Sequence, residues 1–297
     1  MKKSYFLVSK PLHYINATNI TDDTPKVCVF INNMANGSSI FQELKKKSGH
    51  WAELLFFETR MDALKELIQI DHLIEHLYLD TDYGFVIQYQ LSKIKAKLFV
   101  YEEGIGTYRK FIRNKSFLNQ LISAANRLLG NHDYIGGYKH TRGVYLYDET
   151  RHKLQIERFN KPRLKFSKPF LAHIKALTEI DVFFPNAVRE QLAYLQHQSV
   201  VIYLTGWKIR QEILDRLKTY VNHVKILKPH PNLKDITEPE GIDEVIDGYI
   251  LFELLLLYLV EICEEVIVFH EGSSFVQYVE NYQNLKLIHV DNPSNDY

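Results

Sequence analysis

Two adjacent carboxylates and a glycine, Glu102-Glu103-Gly104, close an apolar run that begins Lys97-Leu98-Phe99-Val100-Tyr101. Successive residues of a strand point to opposite faces. A glycine where the strand ends lets the chain turn sharply and leaves the second carboxylate at the sheet edge. In open α/β sheets ligands bind at the carboxyl ends of the strands. Glu103 is therefore a candidate general base, with Glu102 and Gly104 in support. A solvated acidic turn has the same short pattern.

The second half offers a group that could meet negative charge. Lys228-Pro229-His230-Pro231 follows an apolar run. Its prolines fix the backbone and remove amide donors, which would hold His230 at a sheet edge. A histidine there can donate a hydrogen bond to a phosphate or a proton to a leaving group. Lys228 adds a point charge. Gly272-Ser273-Ser274 follows the run Val266 to Phe269 and opens what reads as a helix to about Asn281. A helix amino terminus binds anions through its free N–H groups, and serine is also an ordinary cap. Glu253 lies among Leu251, Phe252 and Leu254. Buried there, it needs partners such as ribose hydroxyls. On the outer face of its helix it needs none.

Positioning these groups requires regular elements. Strands read at Ser4 to Ser9, Lys26 to Ile31, Ala52 to Phe57, His72 to Leu79, the run ending at Glu102-Glu103, and Gly143 to Asp148. Helices read between them, at Leu12 to Ile20, Ser38 to Lys47, Met61 to Ile70 and Phe85 to Lys95. A longer helix runs from Thr107 to Leu129 with a break near Asn114, carrying Arg109, Lys110, Arg113, Lys115 and Arg127. These cations suit a solvated face or contact with anionic lipid headgroups. Lys161 to Pro169 reads as a connection whose Lys161, Arg163, Lys165 and Lys168 offer the same choice. Asp181 to Phe184 reads as a short strand, and Asn186 as the cap of a helix to Gln198.

The pattern then restarts. Val200 to Leu204 reads as a strand leading to Thr205-Gly206-Trp207. A helix from Arg210 to Tyr220, a strand from Val224 to Leu227, a helix from Ile250 to Tyr258, and strands at Val266 to Phe269 and Leu285 to Val290 follow. Alternating strands and helices give mostly parallel sheets covered on both faces. The expectation is α/β: two Rossmann-like domains facing a central cleft (GT-B type), residues 1–198 and 199–297.

Composition narrows the function classes. The 297 residues carry 36 Lys+Arg and 36 Asp+Glu, so no global basic excess argues for nucleic acid. Hydrophobic residues at 46% and charged residues at 24% describe a globular chain. Cys28 and Cys263 each sit in an apolar run and suggest neither a disulfide framework nor a zinc site. The amino terminus lacks the long apolar core of a signal peptide, and Tyr249 to Val260 is too short to span a bilayer. The expected location is the cytoplasm, with peripheral contact at the inner face of the inner membrane left open.

An acidic-acidic-glycine triplet, then a His-Pro pair, then a Ser-Ser pair, in this order, resembles bacterial sialyltransferases. In length and layout the chain is most similar to glycosyltransferase family fifty-two and related lipooligosaccharide and capsule enzymes. Phe6-Leu-Val-Ser-Lys-Pro-Leu-His13 and Gly143-Val-Tyr-Leu-Tyr147 have a similar flavour. The resemblance implies Glu103 as general base, with the like charge of adjacent Glu102 expected to raise its pKa, and His230 at the phosphate of departing CMP. Ser273 and Ser274 would hold that phosphate. Lys228, Glu253, Gly206 and Trp207 would face the donor, and Pro231 would fix the histidine. The implied reaction is inverting transfer of sialic acid from CMP-sialic acid to a glycan hydroxyl, galactose first, with no metal or other cofactor. A lipid-linked acceptor and a homodimer fit the same picture. A different CMP-activated nonulosonic acid or Kdo as donor fits the motifs equally. A non-catalytic nucleotide-sugar-binding protein would not need Glu103 and His230 together.

Overall fold

The computed structural model describes residues 1–34, 36–47, 49–112, 117–231, 233, 236, 238–279 and 282–290. By contacts the chain divides into two units, Met1–Glu179 and Ile180–Asp296.

Unit 1 runs β1 (Lys3–Val8), α1 (Pro11–Thr18), β2 (Lys26–Ile31), α2 (Gly37–Lys47), β3 (Glu53–Phe57), α3 (Arg60–Gln69), β4 (Ile74–Leu79), α4 (Phe85–Leu91), β5 (Lys97–Tyr101), α5 (Phe117–Leu128), β6 (Thr141–Leu146), α6 (Glu149–Gln155), β7 (Arg163–Lys165) and α7 (Phe170–Ala176). The seven strands pair in parallel in the order β3-β2-β1-β4-β5-β6-β7. Parallel strands covered on both faces read as continuous apolar runs, and Tyr5 to Val8 and Val27 to Ile31 are buried throughout. Pro11 stands at the start of α1, where its missing N–H costs nothing. From Leu12 to Thr18 that helix is buried on every side.

Unit 2 runs α8 (Ile180–Phe183), α9 (Asn186–Leu192), β8 (Ser199–Leu204), α10 (Gln211–Lys218), β9 (Val224–Lys228), β10 (Glu244–Val245), α11 (Phe252–Ile262), β11 (Glu265–His270) and β12 (Leu285–His289). Its five parallel strands lie in the order β10-β9-β8-β11-β12. Each unit has its own apolar core. Cys28 and Cys263 are buried free thiols.

The division at Glu179 falls earlier than position 198 because α8 and α9 pack on unit 2. Tyr258 donates its hydroxyl to Arg189 O at 2.9 Å, the His197 N–H bonds Ile262 O at 2.8 Å, and the Phe184 and Tyr258 rings meet at 5.6 Å.

Several local readings are corrected. Residues 181–184 are not a strand: the Phe184 N–H closes a helical turn onto Ile180 O, and both Phe183 and Phe184 are buried. Asn186 is the first residue of α9 and does not cap it; Pro185 occupies the cap. The segment after Ser273 is a single 3-10 turn, Ser274–Gln277, in place of a long helix. Phe275 explains the tight turn, since its buried ring packs edge-on against Phe252 and His270. Residues 105–108 form a 3-10 turn and 117–128 form α5, while the expected break near Asn114, with Arg113 and Lys115, lies outside the described residues.

The Lys161 to Pro169 connection contains the edge strand β7. Lys161 Nζ donates to the carbonyls of Gly136 and Tyr138, and Arg163 donates to His152 Nδ1 and Ile156 O. These two cations hold the fold together and do not face a lipid.

Candidate functional site

In unit 1 the chain leaves β1 toward β2 and β3, then returns to β4 on the other side of β1. That reversal makes the carboxyl ends of β1 and β4 the point where an open α/β sheet opens a crevice. Ser9 and Lys10 follow β1, Asp80 follows β4, and Glu102-Glu103 follow β5 beside it.

A buried polar cluster occupies this edge. Arg60, at the start of α3, grips both oxygens of Asp80 at 2.6 Å each. Its Nη2 also donates to Ser9 Oγ at 3.3 Å. Ser9 Oγ lies 3.3 Å from Asp80 Oδ2 and 3.1 Å from His13 Nδ1. His13 is fully buried, and burial drives its pKa down to about 3 despite Asp80 at 3.4 Å. Burial alone would raise Asp80, but the Arg60 guanidinium outweighs it and holds the carboxyl well below the usual range. Serine and aspartate both address Nδ1, so the three do not form a nucleophile–base relay, in which they would sit on opposite ring nitrogens. They form a charge-balanced polar cluster at this sheet edge.

Glu103 stands beside this cluster. Gly104 has φ +119° and ψ −150°, a conformation that only glycine takes readily, and it delivers the turn that the motif implied. The Glu103 N–H bonds Thr107 Oγ1 at 2.9 Å. A Cβ built on Gly106 would lie 2.1 Å from Glu103 Oε1, so the carboxylate rests on bare backbone. Its pKa is raised, first by burial and then by the Asp80 charge, against the pull of Lys10, Arg60 and Arg109.

Glu102 does not contribute that rise. It points the other way and is fully buried, accepting the Tyr147 N–H at 2.9 Å and the Tyr108 hydroxyl. Its own carbonyl accepts from Asn16 Nδ2 at 2.6 Å. It staples α1, the turn after β5 and the end of β6 together.

In unit 2 the order reverses between β8 and β11, so Thr205-Gly206-Trp207 and Glu271-Gly272-Ser273 share that edge, with the end of β9 adjacent. The Thr205 N–H bonds Lys228 O at 3.1 Å, and Thr205 Oγ1 receives the His230 N–H at 2.9 Å. These bonds bring the loops after β8 and β9 together. The rings of Trp207 and His230 lie 4.6 Å apart at 31°, and Trp207 is 73% exposed. Gly206 abuts the Glu271 carboxylate, which accepts the Tyr203 hydroxyl at 2.7 Å. Gly272 takes φ +82°. Ser273 precedes the 3-10 turn and makes no side-chain capping bond, while the side chain of Ser274 lies outside what is described.

Lys228 and Glu253 sit deeper. Lys228 Nζ donates to Gly248 O at 2.8 Å and Pro229 O at 3.3 Å, and burial lowers its pKa to about 8. Glu253, in the first turn of α11, is buried, which raises its pKa to about 7. Each feels the other's charge. The ammonium therefore secures the Lys228–Pro231 loop from below. Gly248 lies against the backbone of Pro229, His230 and Pro231, which keeps the loop narrow.

Ser9, Arg60, Asp80, Tyr203 and Glu271 did not stand out in the sequence. The usable signals were weak: Ser9 and His13 sit four apart, and Asp80 and Glu271 each follow an apolar run, as Glu103 does. Arg60 carries no local signal, because its partner Asp80 follows β4, which lies three strands away from β3 in the sheet.

No family model matches the chain, and no curated protein matches it. Among solved structures, the wall teichoic acid polymerase TagF is similar with a TM-score of 0.51 at 12% identity, over 92% of this chain and 66% of the polymerase. A variant of that polymerase soaked with CDPG gives 0.50, with the same identity and coverage. A UDP-GlcNAc 2-epimerase from Methanocaldococcus jannaschii in complex with UDP-GlcNAc and UDP gives 0.48 at 17% identity, over 90% of this chain and 78% of that one. The chain thus spans about 66% of the polymerase it matches. At such identities the likeness is one of fold. Both units are parallel-sheet α/β domains, the two-Rossmann architecture of GT-B proteins.

Proposed function

We propose that the chain is a GT-B-type glycosyltransferase whose donor is a CMP-activated sugar, sialic acid first, and whose acceptor is a sugar hydroxyl of a surface glycan. The observation that carries this reading is Glu103. It is a carboxylate at the carboxyl edge of a parallel sheet, poised upward in pKa by burial and seated on a glycine that leaves its oxygen room. A base of raised pKa is matched to taking a proton near neutrality.

In this reading Glu103 takes the acceptor hydroxyl proton as the new C–O bond forms. The bond between the sugar and the CMP phosphate breaks with inversion, and CMP leaves with the electron pair. His230 and Ser273, with Ser274 by motif, meet the phosphate charge. Donors placed where charge develops are commonly the largest catalytic contribution. Trp207 offers an exposed aromatic face beside His230 for the cytosine ring. Lys228 acts from beneath by fixing the loop that carries His230, and Glu253 acts on it through its charge. The reading places the reaction in the cytoplasm and assigns no metal to it.

The test is a donor survey with galactosides as acceptors, in the presence of EDTA. CMP release coupled to a heavier glycan is the expected outcome with CMP-sialic acid. CMP-Kdo and a CDP-linked donor are run alongside, the latter because the teichoic acid polymerase was soaked with CDPG. Turnover with a CDP-linked donor alone would replace the sialyl assignment. No turnover with any donor would remove the transferase reading.

A further inference from the structure

The outer surface of unit 1 carries apolar side chains in a group. On α4, Phe85, Val86 and Tyr89 are exposed, Phe85 by 66%. At the end of α5, Leu128 is 90% exposed and Leu129 stands beside it. The segments that carry them are joined: Asn131, just past α5, donates to Gln88 Oε1 on α4 at 3.2 Å and bonds back to Asn126 O at 2.9 Å. Scattered exposed apolar residues are normal, but a contiguous set marks an interaction surface.

Ile122, Ala125, Leu128 and Leu129 recur at helical spacing, and all four face solvent. The apolar stripe of an amphipathic helix ordinarily faces a core. From Ile122 onward it faces outward.

Charge identifies the occupant. The stretches 84–95 and 109–131 hold two and five Lys or Arg residues respectively, with no Asp or Glu in either, although the whole chain is balanced at 36 of each sign. Lys93, 4.2 Å from the Tyr89 ring, borders the apolar group on one side. Exposed Arg127 and Lys139 border it on the other, Lys139 bonding Asn131 Oδ1 through its N–H at 3.1 Å. An anionic bilayer supplies both chemistries in one surface: acyl boundary for Phe85, Val86, Leu128 and Leu129, and headgroup phosphates for the cations. No helix among the described residues is long and apolar enough to cross a membrane.

We infer that α4 and the end of α5 form a docking face for an anionic lipid bilayer, lying in the headgroup plane. The inference goes beyond the transferase reading and does not depend on it.

The test is co-sedimentation of the full chain with vesicles of phosphatidylcholine alone or mixed with phosphatidylglycerol. Binding is expected only to the mixed vesicles, weakening as salt is raised. The double variants Phe85→Ser/Leu128→Ser and Arg127→Glu/Lys139→Glu should each lose about tenfold in vesicle affinity, with unchanged circular-dichroism melts because all four side chains are exposed. Both variants should keep wild-type transfer to a soluble acceptor, which separates this surface from the reaction. Equal binding to both vesicle types, or full binding by either variant, would overturn the inference. So would sedimentation-velocity evidence that the same substitutions abolish a dimer while vesicle binding is absent.

Discussion

At Gly106 a single methyl group would be driven to 2.1 Å from Glu103 Oε1, and nothing else within 3 Å would resist it. The far end of a flexible side chain can swing away, so Gly106→Ala should fold with a melting temperature within a few degrees of wild type. It should still lose activity, because a carboxylate displaced by about 1 Å can cost on the order of a hundredfold in rate. Thermal melts and kcat measured on the same preparation check both halves. Loss of folding, or unchanged kcat, would mean that the carboxylate does not rest there in the working protein. The Glu102-Glu103 pair was legible as a candidate because two acids and a glycine close an apolar run. What the pair does was only half legible. Glu102 proved to be a buried staple, and the rise in the Glu103 pKa comes from burial and from Asp80, a residue more than twenty positions upstream that no local pattern connects to it.

At the scale of elements, α11 carries its own titration. Burial raises Glu253 from an unfolded value of 4.5 to about 7. The protonated form is favoured in the fold, so this group adds stability below pH 4.5 and loses it as pH rises through 7. Glu253→Gln keeps the shape and removes the charge. It should therefore stabilise the protein at pH 8 by up to about 3 kcal/mol, with the gain shrinking at pH 5. Urea midpoints at the two pH values check this. An equal gain at both would show that the carboxyl is not protonated in the fold.

Long apolar strands were legible at this scale within a residue or two, because parallel strands buried on both faces are continuous runs. Short or edge elements were not. Arg163–Lys165 and Glu244–Val245 have too few residues to show a pattern, and the Val182-Phe183-Phe184 run has strand composition but closes as a helical turn before Pro185. The segment after Ser273 looked like a helix start, and packing of Phe275 ended it after one turn.

At the scale of the whole molecule, acid should act unequally on the two units. Burial lowers His13 to about 3 and His152 and His173 to about 4 in unit 1, and His270 to about 4 in unit 2. Each is neutral in the fold, while the unfolded chain takes a proton near pH 6.5. Stability is therefore lost as pH falls from 6.5 toward 4, by about 2 kcal/mol per histidine at pH 5. Unit 2 has one such group, and Glu253 offsets it by gaining stability over the same range. Unit 1 has three and should unfold first. Trp51 is buried in unit 1, so in a Trp207→Phe variant its emission should shift to the red while part of the far-ultraviolet helical signal persists. A single coincident transition would contradict this.

The two-domain α/β architecture was legible in the restart of the strand–helix pattern after residue 199. The boundary was not, since α8 and α9 belong to unit 2 through contacts with α11, far away in sequence.

The claim on which the functional reading rests is that Glu103 removes the acceptor proton. Glu103→Gln is the direct measurement, with transfer rate and CMP binding read in parallel, the latter from Trp207 emission. We predict a transfer rate lower by about 10²–10⁴-fold with CMP binding unchanged, the range expected for a positioned general base. Turnover near wild type would contradict the account.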